Sequence, residues 1–442
     1  MTQPSPVLIM GTWRPFEGLL AEKPRSSHDQ HRLGGIVTRR WTRRWGTLAV
    51  VALIALGACS VSADDSPADT SKPVVLEEVT GGEREDVPSA LDRIDNPALP
   101  TPLVDPTQVI SGGPPPDGIP PIDEPRFVPA SDVDWLTPDE PVLAPAIGET
   151  ARAYPVQILI FHEIVNDTID GQPVAITYCP LCNSALGFDR RLGDRVLTFG
   201  TSGSLYQSNL VMYDRQTESL FSQLEGRAIA GVLTGSELDR VPVQTVTWAQ
   251  WSQANPDGWV LSRDTGVSRD YGSNPYGGYD QLGSDPFLFN GIPDPRLPAM
   301  ERVVALGGTE DPVAVPLTGL TEVGVVDLEI GVEVDVAVTG QPVVVWALDG
   351  LNSALDTEQI ADGRQIGATG AFNPVLDGQR LSFARTSAER FTDAQTGSVW
   401  NIFGLAVGGP LAGSRLDPVD YTDTFWFAWA AFHPDTRIAE LA

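Results

Sequence analysis

The chain of 442 residues carries three cysteines and four histidines. So few cysteines exclude a small domain held by a disulfide framework, and the composition excludes collagen and coiled coil. Positive charge is also scarce, with 29 Lys+Arg against 58 Asp+Glu. From Cys59 onward, 21 basic and 55 acidic residues leave a net charge of −34. A surface of that sign repels nucleic-acid phosphate, so no nucleic-acid partner is expected. No phosphate-binding glycine loop or dinucleotide fingerprint occurs, which argues against a nucleotide cofactor. His162-Glu163 lacks the second histidine of a zincin, and Ser202-Gly203-Ser204 lacks the flanks of a nucleophile elbow. The apolar run Leu48 to Ala58 has 11 residues, short of the ~18 needed to span a bilayer. At about 150 residues per domain, the length suits two or three units with a sizeable core.

What is present at the amino terminus reads as an address. Arg39, Arg40, Arg43 and Arg44 precede that apolar run, as in a signal peptide. The run ends Leu56-Gly57-Ala58-Cys59, which looks like a lipobox, so Cys59 is the expected lipidation site. A lipid anchor on the outer face of the membrane follows, and residues 1–58 are the segment removed. Residues ahead of Arg39 lack this logic, so translation is expected to begin near Val37. Residues 59–116, acidic and rich in proline, read as a disordered tether. Residues 117–145, with Phe127, Trp135 and Leu136 among prolines, read as an extended strap.

Beyond the strap the sequence repeats itself. Gly171-Gln172-Pro173-Val174 and Asn183-Ser184-Ala185-Leu186 recur at an offset of 169 as Gly340-Gln341-Pro342-Val343 and Asn352-Ser353-Ala354-Leu355. Gly226 to Asp257 matches Gly404 to Asp435 at an offset of 178, with 13 identities in 32 positions. Asp214, Gln216, Thr217 and Ser219 correspond to Asp393, Gln395, Thr396 and Ser398. A period this long signifies two related domains rather than a solenoid.

Each copy reads mainly as strands. Pro173 to Tyr178 and Pro342 to Trp346 are apolar or β-branched runs after a glycine turn. Ala185 to Phe188 and Val196 to Phe199 suggest a hairpin around Asp189 to Asp194, and Leu210 to Tyr213 with Leu220 to Gln223 a second one. Helices are predicted over Val246 to Ala254 and Asp423 to Phe432, stopped by Pro256 and Pro434. Tryptophans three apart, Trp248 with Trp251 and Trp426 with Trp429, fall on one face of each helix and suit core packing. The expected fold is therefore a β-rich α+β class of two tandem homologous domains, residues 146–262 and 303–442, joined by a Gly-, Tyr- and Pro-rich loop over 263–302. The tyrosines Tyr271, Tyr276 and Tyr279 give that loop a covering role.

Chemistry concentrates in the first copy. Cys179-Pro180-Leu181-Cys182 ends a predicted strand, while the same positions in the second copy are Leu348 and Leu351. His162 likewise has Gly331 opposite it. The strings Ala153-Tyr154-Pro155, His162-Glu163-Ile164-Val165-Asn166-Asp167, Thr177-Tyr178-Cys179-Pro180-Leu181-Cys182 and Met212-Tyr213-Asp214-Arg215-Gln216-Thr217 resemble the domain-of-unknown-function 3179 family of bacteria and archaea. The ending Phe425-Trp426-Phe427-Ala428-Trp429-Ala430-Ala431-Phe432-His433-Pro434 resembles the one common among its members. The resemblance covers roughly Asp117 to Ala442 and implies no activity. Tyr421 stands where members often carry a histidine.

Three readings of the cysteine pair stand side by side. Two thiolates with the His162 imidazole, and Met212 or His433 as a further ligand, would suit Cu(I) or Zn(II), and soft-metal binding is the favoured expectation. A thiol-disulfide oxidoreductase would use the same C-x-x-C as a redox dithiol. A structural Cys179-Cys182 disulfide in a non-catalytic module is the third. Tyr178, Glu163, Asn166, Asp167, Tyr213, Asp214 and Arg215 are the candidates for lining the site. Among them Asp214-Arg215 suits a turn-stabilising ion pair, since the aspartate recurs as Asp393. Protein partners are left open.

Overall fold

A computed structural model describes residues 72–441, apart from 309–310 and 335–336. The expected signal segment, the expected lipidation site Cys59 and the first part of the expected tether lie outside the described residues. The fold is β-rich with few and short helices. Among the described residues no helix is long and apolar enough to cross a membrane.

The first half begins with β1 (Pro141–Pro145) and β2 (Arg152–Pro155), a single helical turn α1 (Val156–Leu159), then β3 (Ile164–Ile169), β4 (Gln172–Cys179) and β5 (Ser184–Asp189). Strands β6 (Phe199–Tyr206), β7 (Asn209–Asp214), β8 (Leu220–Ser222) and β9 (Arg227–Ala230) follow, and the half closes with β10 (Val243–Thr247), α2 (Trp248–Ala254) and β11 (Trp259–Leu261). The second half runs β12 (Arg302–Leu306), β13 (Val313–Pro316), α3 (Leu317–Val323), β14 (Val325–Val334), β15 (Ala337–Leu348) and β16 (Ala368–Phe372). It continues through β17 (Phe383–Arg385), β18 (Phe391–Asp393), β19 (Val399–Trp400) and β20 (Ala406–Gly408) to β21 (Thr422–Phe425), α4 (Trp426–Phe432) and β22 (Arg437–Ile438).

Strand order in the first half is β10-β1-β2-β11 with Phe127–Pro129 beyond β11, β3-β4-β5 with Arg240–Val241 beyond β5, and β6-β7-β8-β9 with Val109–Ser111 beyond β6. In the second half it is β21-β12-β13-β22, β14-β15-β16 and β17-β18-β19-β20. In each, the last strand pairs parallel with the second, β11 on β2 and β22 on β13. Local causes match as well. Asp214 accepts from the N–H groups of Thr217 and Ser219 at 2.6 and 3.0 Å, and Asp393 from those of Thr396 and Ser398 at 2.6 and 3.1 Å. Each carboxylate thereby builds a tight turn that closes a hairpin.

Alternation along the strands divides the interior. Val303 and Ala305 face Trp426 and Trp429, whereas Val304 and Leu306 face a separate cluster with Val313, Val315 and Val343. Helix α2 starts where Thr247 and Gln250 form a capping box, with Gln250 N–H to Thr247 Oγ1 at 3.0 Å and Thr247 N–H to Gln250 Oε1 at 3.1 Å. Trp248 and Trp251 stack on one another at 5.7 Å and are buried against β1, β2 and β11.

Three expectations need correction. Residues 72–116, read as part of a disordered tether, lie along the body. Glu77 pairs with Arg152, Arg84 with Glu218 and Glu85 with Arg195, and a short strand, Val109–Ser111, pairs with β6. Of these pairs, Glu77 meets the buried Arg152, while the Glu85–Arg195 and Arg84–Glu218 pairs lie nearer the surface. The strap boundary also moves, because β1, placed in the strap at 141–145, is an inner strand between β10 and β2. Its terminal prolines hid it, since proline reads as a strand breaker. Finally, β5 does not pair with residues 196–199. The hairpin at 189–194 is a two-residue ladder, Arg191–Leu192 with Arg195–Val196, and β5 lies between β4 and the strand Arg240–Val241.

Candidate functional site

The thiol turn is fixed by a tight hairpin upstream. Strands β3 and β4 join through Asp170 and Gly171, at φ 48° and 78°, a two-residue loop with Ile169 opposite Gln172. That register sends β4 to its end at Cys179, where the turn 180–183 returns the chain to Ser184. Asn183 N–H to the Pro180 carbonyl, at 3.2 Å, closes the turn, with Asn183 at φ 52°.

Cys179 and Cys182 are free thiols and both are buried. They differ electrostatically. Burial alone would push the Cys179 thiol up, but the Cys182 S–H and the N–H groups of Cys182, Leu210 and Leu181 outweigh it and hold it below the usual range. Burial and the adjacent Cys179 push Cys182 well up. The Cys182 thiol donates to the Ser208 carbonyl at 3.3 Å. Behind the pair runs a buried polar chain. Asn209 Nδ2 donates to Gln223 Oε1 at 2.8 Å, Ser184 Oγ donates to the same oxygen at 2.8 Å, and Gln223 Nε2 donates to Thr177 Oγ1 at 2.9 Å.

Glu163 lies beside this pair. It takes φ 59°, its backbone carbonyl accepts from Tyr178 N–H at 2.8 Å, and burial followed by the charge of Cys179 pushes its carboxyl well above the usual range. Burial therefore favours its protonated form. Three neighbours clamp the turn from outside the first half's sheets. Tyr279 OH donates to the Leu181 carbonyl at 2.9 Å, and the Cys182 carbonyl accepts from Phe425 N–H at 2.9 Å and Thr424 Oγ1 at 2.8 Å.

The other candidates are distributed differently. Glu163 breaks the strand between His162 and Ile164, and the His162 ring engages other partners, with Nδ1 2.6 Å from the Pro120 carbonyl and Nε2 2.6 Å from Tyr271 OH. Burial lowers its pKa to about 4, so it is neutral. His433 is the C-cap of α4, its ring 4.0 Å from that of Trp429. Met212 is buried in β7 opposite Thr201 and Phe221. Among the described residues no three His, Cys, Asp or Glu side chains are grouped to hold a metal ion. Asn166 donates to Asp123 at 2.8 Å, Tyr213 OH to Asp117 at 2.7 Å, and Arg215 bridges both aspartates. Asp167 is buried against Arg152 at 2.7 Å and accepts from Tyr154 OH. These groups hold the strap and the sheet together. Tyr178 OH meets Asn183 Oδ1 at 3.2 Å, within the thiol turn.

The family described as protein of unknown function DUF3179 matches residues 116–436. The chain belongs to that family. No curated protein and no solved structure matches it. In this DUF3179 chain the residues that sequence reasoning missed are Ser208, Asn209, Gln223 and Thr424. The first three lie on ordinary strands or turns and carry no motif. Thr424 reaches the thiols only through tertiary packing, 242 positions from Cys182. Chemically, the assembled parts are a thiol shifted toward thiolate, a second thiol shifted toward its protonated form, and a buried carboxyl beside them shifted toward its neutral form. Such a set can form and break an S–S bond while moving a proton.

Proposed function

We propose that Cys179 and Cys182 are a redox-active dithiol, with Cys179 as the attacking sulfur, Cys182 as the resolving one and Glu163, whose burial favours its protonated form, as the group that gives a proton to the leaving sulfur and takes one back from Cys182. The single observation that carries this reading is that two free, buried thiols share one closed turn at the end of β4, with Cys182 donating to the Ser208 carbonyl at 3.3 Å. The lowered Cys179 thiol and the raised Cys182 thiol point the same way. A soft-metal centre has less support, because the His162 nitrogens are engaged by Pro120 and Tyr271.

The test is a redox titration of anaerobically purified protein in dithiothreitol buffers, read as alkylation mass shift, with metal analysis of the same sample. Two thiols should convert reversibly to one disulfide. The Cys182→Ser variant should trap oxidised glutathione as a mixed disulfide, whereas Cys179→Ser should not. Stoichiometric copper or zinc lost on Cys179→Ser would restore the metal reading, and a disulfide that stays unreduced in the folded protein would make the pair structural.

We further read the second half as a copy of the first that has lost the centre, supported by the matched strand order and by Leu348 ending β15 as Cys179 ends β4. Superposition of residues 141–261 on 302–438 that fails to bring Trp248 onto Trp426 would count against it. The anchor expected at Cys59 would set the dithiol in the cell envelope. On that reading, Cys59→Ala moves the protein from the membrane to the soluble fraction.

A further inference from the structure

A cleft of about 570 Å³ opens where α2 meets the end of β15 and the turn that follows β19. That volume lies within the roughly 300–1,000 Å³ of small-molecule sites. Two amide groups in its wall are pinned by their oxygens. Asn401 is only 8% exposed, and its Oδ1 accepts from the N–H groups of Phe403 and Leu405, both at 3.1 Å. Gln250 Oε1 accepts from Thr247 N–H in the capping box of α2. Each NH2 is thereby fixed in place, and neither meets an acceptor among the described residues.

The first half shows the same position with its hydrogen bonds made. At the offset of 178, Asn401 corresponds to Gln223, whose Nε2 donates to Thr177 Oγ1 at 2.9 Å and whose Oε1 accepts from Asn209 at 2.8 Å. At the spacing that relates Asp214 to Asp393, Asn209 corresponds to Ala388, which lines the cleft. At the offset of 169, Thr177 corresponds to Trp346, whose indole has no oxygen to accept a donor. The polar chain that engages Gln223 therefore has no counterpart here, and the Asn401 NH2 faces the cleft. A buried polar group of this kind calls for a partner.

We propose that this cleft binds a neutral saccharide, independently of the redox chemistry of the thiols. The rest of the lining selects that class. Asp139, Asp349 and Glu389 outnumber the cation Arg390, so a phosphate or carboxylate ligand is repelled. These carboxylates are also not free for a cation. Gln365 Nε2 donates to Asp139 at 3.3 Å, Arg385 to Asp349 at 3.5 Å, and Arg390 lies 3.9 Å from Glu389. A hydroxyl both donates and accepts, so neighbouring hydroxyls of one sugar can take the two fixed NH2 groups and give to Asp139. The half-buried Phe403 ring and Val407, 46% exposed, offer an apolar wall to the C–H face of the ring. A peptide that adds as a strand needs free main-chain groups. Those are already engaged, Phe403 and Leu405 N–H by Asn401 and Ala406 N–H by the Ser414 carbonyl at 2.9 Å.

The test is titration of the full chain with maltose, cellobiose and N,N′-diacetylchitobiose, followed by saturation-transfer NMR and calorimetry. At least one should bind, and glucose 6-phosphate and tetralysine should bind about tenfold more weakly than that sugar. Gln250→Glu and Asn401→Asp each keep the pinned oxygen and exchange the NH2 for a second oxygen. Each should weaken the sugar about tenfold. Gln250→Glu supplies the glutamate that capping boxes commonly carry, so its fold and urea midpoint should be retained, and it decides the test on its own should Asn401→Asp not fold. No binding of the three sugars at about 10 mM, where a millimolar site is nearly filled, would overturn the proposal. Affinity unchanged in Gln250→Glu would overturn the location, and preference for glucose 6-phosphate or tetralysine would overturn the ligand class.

Discussion

A buried histidine can be a ligand, a cap or a silent packing group, and His433 separates these roles by what its proton costs. Its ring lies against Trp429 at the end of α4, facing the positive Arg240, and burial with that charge lowers its pKa to about 4. The unfolded chain, with an ordinary imidazole near 6.5, binds a proton over a range in which the folded chain does not. Stability attributable to His433 is therefore intact above pH 6.5 and falls as pH drops toward 4. Asn255 occupies the matching C-cap in α2, where Asn255 Nδ2 donates to the Trp251 carbonyl at 3.0 Å, so His433→Asn keeps a cap that this fold already uses. Chemical denaturation from pH 7 to 4 should show the wild type losing up to about 3 kcal/mol more than His433→Asn. Parallel pH curves for the two proteins would mean that the ring titrates alike in the folded and unfolded chains, against the lowered pKa. The same residue-level logic separates Cys179 from Cys182. Their types were visible in the sequence, but the amide groups of Leu181 and Leu210 that set them apart come from a turn and a neighbouring strand.

At the scale of elements, legibility followed locality. The helices were visible because Pro256 follows one and Pro434 the other, and tryptophans three apart mark a face, while their starts, read at Val246 and Asp423, lie two to three residues later in the structure. The structure places these helices at Trp248–Ala254 and Trp426–Phe432. The β7–β8 hairpin was visible because Asp214, Thr217 and Ser219 supply their own turn chemistry within six residues. Gly226 and Gly404 recur for a physical reason. Each takes positive φ, 67° and 68°, and a Cβ on either would meet the ring of Phe188 or Phe372 at about 2.5 Å. Partners set by distant segments were not visible. Strand β1 hid behind its prolines, and β5 found Arg240–Val241 rather than its nearest downstream run. The placement of His162 failed for a related reason. Extrapolating the β3–β4 register past Ile164 sets it opposite Cys179, but Glu163 at φ 59° ends the ladder and the ring meets a strap residue and a loop tyrosine.

At the scale of the whole molecule, the two halves of the chain share their cores rather than packing as separate units. The cluster around the thiols includes Leu355, Phe425 and Phe427 from the second half, and the cluster around Trp248 and Trp251 includes Trp346 and Phe372. Arg240 of the first half pairs with Asp420 and donates to Thr422 Oγ1, and Gln244 donates to the carbonyls of Thr369 and Ile402. Each half thus completes the core of the other, and the Cys182 carbonyl is seated by β21. Removing residues 303–442 would expose Phe188, Trp248 and the thiol turn together, a loss no surface rearrangement could offset at typical marginal stabilities of about 5–15 kcal/mol. Two-state behaviour requires that neither half persist once the other opens. The full chain should accordingly give one calorimetric transition with equal calorimetric and van't Hoff enthalpies, and residues 72–262 expressed alone should lack a cooperative transition. Two resolved transitions, or a folded first half in isolation, would instead mean that the halves are independent domains and that the second is a neighbour rather than a part of the thiol site.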